Sequence, residues 1–299
     1  MTNERKGMIA ATVAYCIFGL SYLFSNQALD VVKDPIILLS VRFTFTFVAL
    51  NILVFTRVLK LELKGKNLIP PILLGVLQPV LYFVMENYGL MYTSTAFTGM
   101  VSSISPIFTT VLGAIILKEL PTRKQWLFVV LTIIGVMMVS LGANEGENTV
   151  FGCLMLLGAY LSGAFYSILV RKLSRTFSAF ELTYIMFTVG FLFFGGFVFV
   201  KYGGETVHVI SNAVTNVKFI TSAVFLGILA SVCAYMLVNY SLKQLPVTRS
   251  AIFTSVSTVV SVSSGVLIRG DAFSVFSGIA FVLMLVGVWG VNRFARGIE

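Results

Sequence analysis

Charge is scarce in this sequence. Of 299 residues, 11% are Asp, Glu, Lys or Arg, against about 25% in a soluble domain. Histidine occurs once, at His208, and cysteine three times, at Cys16, Cys153 and Cys233. Three dispersed thiols without a CxxC pair, and a single imidazole, supply neither a disulfide framework nor a metal-ligand set. They supply no nucleophile–base constellation either, which ranks an intramembrane enzyme low. His208 falls in a polar connection and reads as a solvated loop residue. Composition alone leaves room for a non-transporting receptor.

Apolar sequence is what the chain has in excess. Hydrophobic residues make up 58% of it, and its mean hydropathy is +0.96. Runs of ~20 apolar residues recur from end to end, each long enough for a ~30 Å hydrocarbon core. The predicted fold class is an all-α polytopic membrane protein with ten transmembrane helices. They fall near 7–29, 36–57, 68–91, 94–117, 125–142, 150–170, 180–201, 217–241, 247–268 and 274–294. The basic opening MTNERKG precedes an apolar run from about Gly7 to Leu29. That run exceeds the ~7–15-residue core of a signal peptide and reads as a retained first span.

Sixteen Lys and Arg residues lie on one set of alternating connections. Only Lys33, Lys201, Lys218 and Arg269 lie on the other, and Arg42 sits inside a span. The asymmetry predicts that both termini are cytoplasmic, in a multi-pass protein of the cytoplasmic (inner) membrane. It also accounts for the net charge of +9 without a nucleic-acid partner.

The chain repeats itself. With an offset of 152, Gly75 meets Gly227, Asn87-Tyr88 meets Asn239-Tyr240, Gly113 meets Gly265, Glu119 meets Asp271, and Gly135-Val136 meets Gly287-Val288. The first two spans of each half align less well, at an offset of 144 that pairs Gly19 with Gly163 and Tyr22 with Tyr166. The expected units are 1–145 and 146–299, with five spans each. Five is odd, so the second unit enters from the opposite face and the repeat is inverted, an arrangement suited to alternating access.

Hydroxyls form matching stripes. Thr98, Ser102, Ser105 and Thr109 follow steps of four, three and four, which place them on one helix face. Ser250, Thr254, Ser257 and Ser261 repeat the pattern at the same offset. The stripes either pack helices or line a central cavity. Pro79 and Pro106, inside the third and fourth spans, each free a carbonyl and bend their helix. Gly287 and Gly290 fit intramolecular packing as well as a partner.

Two charges lie within spans. By helical rise, Arg42 is about 9 Å and Glu86 about 8 Å from the same outer surface. They form either a structural ion pair or a cavity site for substrate or protons. Neither is repeated: Glu86 maps to Val238, and Arg42 roughly to Phe187. Tyr82 and Gln78 share the helix face of Glu86, while Asn87 points aside. A carboxylate near aromatic rings suits an ammonium group, and an Arg and a Glu together suit a zwitterion. The candidate site is therefore Glu86, Arg42, Gln78, Tyr82, Ser102, Ser105, Thr254, Ser257, Tyr22 and Tyr166.

The stretch LMYTSTAFTGMVSSISPIFTTVLGAIILKELPTRKQW, followed by IIGV, is similar to the EamA-type pattern of the drug/metabolite transporter superfamily. Tyr92-Thr93, Pro106, Glu119, Trp126 and Gly135 carry it. Pro35 with Arg42-Phe43 resembles that family's second-helix opening, and Phe18-Gly19 its first-helix motif. The resemblance implies ten helices, an inverted repeat and a central cavity. It implies no ATP hydrolysis, in keeping with the lack of a GxxxxGK[ST] loop, so no cofactor is expected. An arginine at the Arg42 position is common in that family; a counterpart of Glu86 is not a general feature. Thr258 stands where the repeat would place a mate for Pro106, so the halves are expected to bend unequally.

The expected function is secondary active transport of small metabolites, foremost amino-acid export, by a monomer in the lipid bilayer. The alternative is proton-coupled transport of an organic cation through Glu86. Anionic cargo ranks third, because only Arg42, and Arg249 at the start of the ninth span, would serve it.

Overall fold

The computed structural model describes residues 3–116, 122–141, 148–245, 250 and 253–294. Lys118, Glu119 and Arg249 lie outside them. The described residues are mostly helical, with no strand among them. The helices are α1 (Asn3–Val32), α2 (Pro35–Phe55), α3 (Ile69–Leu90), α4 (Thr95–Ile116), α5 (Arg123–Leu141), α6 (Val150–Leu173) and α7 (Ala179–Tyr202). There follow α8 (Thr206–Thr215), α9 (Val217–Gln244), α10 (Thr254–Ser264, continued by a π-turn Gly265–Arg269) and α11 (Val275–Arg293). Seven helical segments of the described chain are long and apolar enough to cross a membrane, and Val275–Val291 is a shorter apolar helix. Large apolar side chains face outward, such as Leu127 (72% exposed) and Leu192 (65%), as expected where the solvent is lipid.

Local chemistry sets the helix starts. Asp34 caps α2 by accepting from Ile36 N, with Pro35 in the first turn. Ser94 caps α4 and Thr149 caps α6, while Ser178 and Glu181 form a reciprocal capping box on α7. Glu181 also receives Lys66 at 2.7 Å and the Glu62 N–H, tying the 57–68 connection to α7.

Both inner prolines interrupt their helices. At Gln78-Pro79 the residue before proline is extended (φ −147°, ψ 116°), the conformation that the proline ring imposes on its predecessor. Ser162 of α6 donates to the Leu77 carbonyl at this break (2.8 Å). In α4 the helix stops at Ser102 and restarts at Ser105, ahead of Pro106. Its mate α10 runs unbroken from Thr254 to Ser264 through Thr258, so the halves do bend unequally. The sequence reading missed α8, a ten-residue helix carrying His208, which is exposed. At that length, amid polar residues, α8 shows no span-like run.

Helices from the two halves interlock. Helix α1 packs on α9 and α10; correspondingly, α6 packs on α3 and α4. Likewise α2 packs on α9, and α7 on α3. The pairs α2–α7, α4–α10 and α5–α11 each join related helices. Glycines mark the crossings. A Cβ on Gly75 would lie 2.8 Å from Val189 of α7, and one on its mate Gly227 would lie 2.8 Å from the Arg42 carbonyl of α2. Gly287 and Gly290 meet Thr132 and Phe128 of α5, so the contact here is intramolecular. Phe43 centres the core, with ring centroids 5.2–5.5 Å from Phe194, Phe83 and Phe187.

Candidate functional site

Seven helices (α1, α2, α3, α4, α6, α9 and α10) line one cavity of about 80 Å³. All ten candidate residues line it: Glu86, Arg42, Gln78, Tyr82, Ser102, Ser105, Thr254, Ser257, Tyr22 and Tyr166. Tyr15, Phe18, Phe83, Tyr160 and Tyr235 complete an aromatic wall. These aromatics escaped the sequence reading because rings in an apolar span carry no mark of which way they face. Two signals pointed to them. Tyr15, Phe18 and Tyr22 keep helical spacing, and Tyr235 is the repeat mate of Phe83.

Arg42 and Glu86 share the cavity, 2% and 4% exposed, but the contact ion pair offered as one reading is not formed. Among the described residues, ion pairs within 4.0 Å join Lys66–Glu181, Lys201–Asp34, Arg269–Asp30 and Arg269–Asp271. Arg42 is held elsewhere: its Nε donates to Ser231 Oγ of α9 at 2.9 Å, and its guanidinium carbon lies 4.1 Å from the centroid of Phe83. Glu86 lines the cavity with Tyr82 and Tyr22. Gln78, extended by the proline break, donates to the Tyr235 hydroxyl. Tyr166 donates to Asn239, whose amide nitrogen donates to Thr183 at 2.9 Å.

The hydroxyl stripes divide between the two expected roles. Ser102, Ser105, Thr254 and Ser257, the middle members, face the cavity. Outer members make structural contacts: Ser261 Oγ of α10 donates to the Thr95 carbonyl of α4 (3.0 Å), and Thr98 pairs with Thr93 in the turn before α4 (2.9 Å). Ser102 serves both ends, since its hydroxyl also lies 3.2 Å from that of Thr258.

Beyond Ser261, polar contacts tie the two halves together. Asp271 Oδ2 accepts the Ala96 N–H at the start of α4 (2.7 Å), and its Oδ1 lies 3.6 Å from Arg269 Nε. Arg269 in turn forks onto both carboxylate oxygens of Asp30 on α1 (2.7 and 3.1 Å). Asn26 donates to Thr95 Oγ1 at 2.7 Å. At the other end, α10 packs chiefly along Thr95–Ser102 and not along Ser105–Ile116, among the described residues.

The EamA-like transporter family matches residues 5–141 and again 150–293. The "Uncharacterized transporter YcxC" of Bacillus subtilis (strain 168) is 33% identical over 293 residues, covering 97% of this chain and 94% of that one. An "Uncharacterized transporter" of Archaeoglobus fulgidus is 23% identical over 285 residues, covering 93% and 98%. A solved crystal structure superposes with a TM-score of 0.67 over 98% of both chains at 17% identity, a likeness of fold. With the family spanning both halves of an apolar, all-helical chain, this multi-pass membrane protein belongs to the EamA-like transporter family.

Proposed function

We propose that the protein is a monomeric secondary active transporter of small metabolites, working by alternating access, with amino-acid-like compounds exported across the cytoplasmic membrane. One observation carries the reading: residues from both halves converge on a single cavity that holds an Arg and a Glu not in contact. The cargo would supply the missing counter-charges. Ten spans in two inverted units, with both termini cytoplasmic, would give that cavity two related packings. The double family match and the paired helix contacts, each with a mate under exchange of halves, support this architecture. In that orientation the Asp30–Arg269–Asp271 contacts close the outer side.

The aromatic wall around Glu86 favours a second reading, proton-coupled transport of an organic cation. Counterflow in proteoliposomes separates the two. Radiolabelled L-amino acids exchange if the first reading holds, and Glu86→Gln lowers that exchange by roughly tenfold or more, the weight of one buried charged contact. Exchange of amines alone, driven by a pH gradient and lost in Glu86→Gln, selects the second. No exchange of either class overturns both.

A further inference from the structure

Arg42 is short of partners. A guanidinium has five N–H donors, and the one at Nε goes to Ser231 Oγ at 2.9 Å. The guanidinium face rests on Phe83, with its carbon 4.1 Å from the ring centroid. Arg42 forms no ion pair among the described residues, and the four N–H bonds at Nη1 and Nη2 have no protein acceptor there. A cation so deeply buried requires an anion or water to complete it. The cavity is where that partner fits, because Arg42 lines it.

Ser231 is itself fixed. Its hydroxyl proton goes to the Leu226 carbonyl (2.8 Å), five residues back. That reach follows from the π-winding of Phe225–Ala234, which widens the turn. A hydroxyl has one proton, so with it committed to Leu226 the oxygen can only accept from Arg42. Helix α2 cannot drift away from this contact. Gly227 lets α9 approach the Arg42 backbone, and Thr46 Oγ1 lies 2.9 Å from both the Arg42 and Gly227 carbonyls.

We infer that Ser231 is a positioning residue that aims Arg42, and that the guanidinium so held receives the carboxylate of a zwitterionic substrate whose ammonium faces Glu86. This rests on the reading of the cavity as the transport site. The charge balance narrows the class. Among the described residues, Arg42 is the one Lys or Arg lining the cavity, and Glu86 opposes it. A phosphate dianion would meet one cation and one anion; a simple amine would leave Arg42 uncompensated. A carboxylate matches the guanidinium fork in a bidentate pair.

The test is ligand-induced thermal stabilisation of the purified full chain. The probes are the twenty common L-amino acids, each with its matched amine lacking the carboxylate and its matched acid lacking the ammonium. At least one amino acid stabilises the wild type. Ser231→Ala weakens that amino acid and its acid by roughly tenfold, the weight of a hydrogen bond to a charged group. Ser231→Ala spares the amine, and Ser231→Thr, which keeps the hydroxyl, restores binding. Glu86→Gln shows the opposite selectivity, weakening the amine and sparing the acid. The inference is overturned if Ser231→Ala leaves all three probes unchanged, or weakens acid and amine alike. It is also overturned, with the transport-site reading left standing, if only amines stabilise the wild type and do so through Glu86. A wild type that responds to no probe of any charge class removes the transport-site reading and this inference together.

Discussion

Asp34 joins a helix start to its neighbour through both carboxylate oxygens. Oδ1 accepts the Ile36 N–H, while Oδ2 receives Lys201 at 2.6 Å and the Tyr202 hydroxyl. Burial pushes the carboxyl up, but these hydrogen bonds outweigh it and hold the group below the ordinary carboxylate range. A lowered folded value stabilises the fold above the unfolded pKa, and the gain is lost as pH falls through the folded value. Stability is therefore expected to decline below about pH 4, the unfolded Asp value. Asp34→Asn should melt lower than wild type at neutral pH and converge with it in acid. Melting curves in detergent across that range check this; parallel curves at every pH would show that Asp34 contributes no such linkage.

At the scale of elements, close helix crossings rather than charges hold the pairs in place. Gly227 is the sharpest case. A methyl group there would lie 2.8 Å from the Arg42 carbonyl and from Phe45 Cβ, neither of which swings aside. Gly227→Ala is expected to lower stability by about 1–3 kcal/mol, the usual effect of overpacking. Gly195→Ala, with nothing within 4 Å of the added carbon, should stay near neutral. Equal melting temperatures for both would contradict the crossing. Much of this element layout was legible in the sequence. Each of the ten apolar runs overlaps a helix among the described residues, seven helical segments of which are long and apolar enough to cross a membrane, and Pro79 and Pro106 marked where two helices break. Spacing rules also gathered ten side chains that share one cavity. Ser231 was not legible. A lone hydroxyl in an apolar helix has no periodic signal, and its value comes from a π-turn and from Arg42, 189 residues away. The choice between an Arg42–Glu86 ion pair and a shared cavity stayed open in the sequence for a related reason: equal depth fixes height in the membrane but not azimuth around each helix axis.

Across the whole molecule, few polar groups tie the two halves together at one end. The turn bearing Arg269 and Asp271 belongs to the second half, yet it grips Asp30 and Ala96 of the first. Asp271→Ala should release that grip. With Cys16, Cys153 and Cys233 replaced by serine, a thiol placed in the cavity by Ser21→Cys should react slowly with a membrane-impermeant reagent from outside. Adding Asp271→Ala should speed that reaction several-fold; an unchanged rate would show that closure rests on helix packing alone. The two halves also divide the labour of the cavity. Arg42 lies against Phe83, and at the related place Phe187 lies 5.1 Å from Tyr235. Glu86 has Val238 as its mate, and Pro79 has Ser231. The charges are written in one half and the anchor for Arg42 in the other. Two copies of the first half would bring two copies of Arg42 and no Ser231; two copies of the second would bring neither Arg42 nor Glu86. At this cavity the two halves are therefore not interchangeable: neither could serve in place of the other.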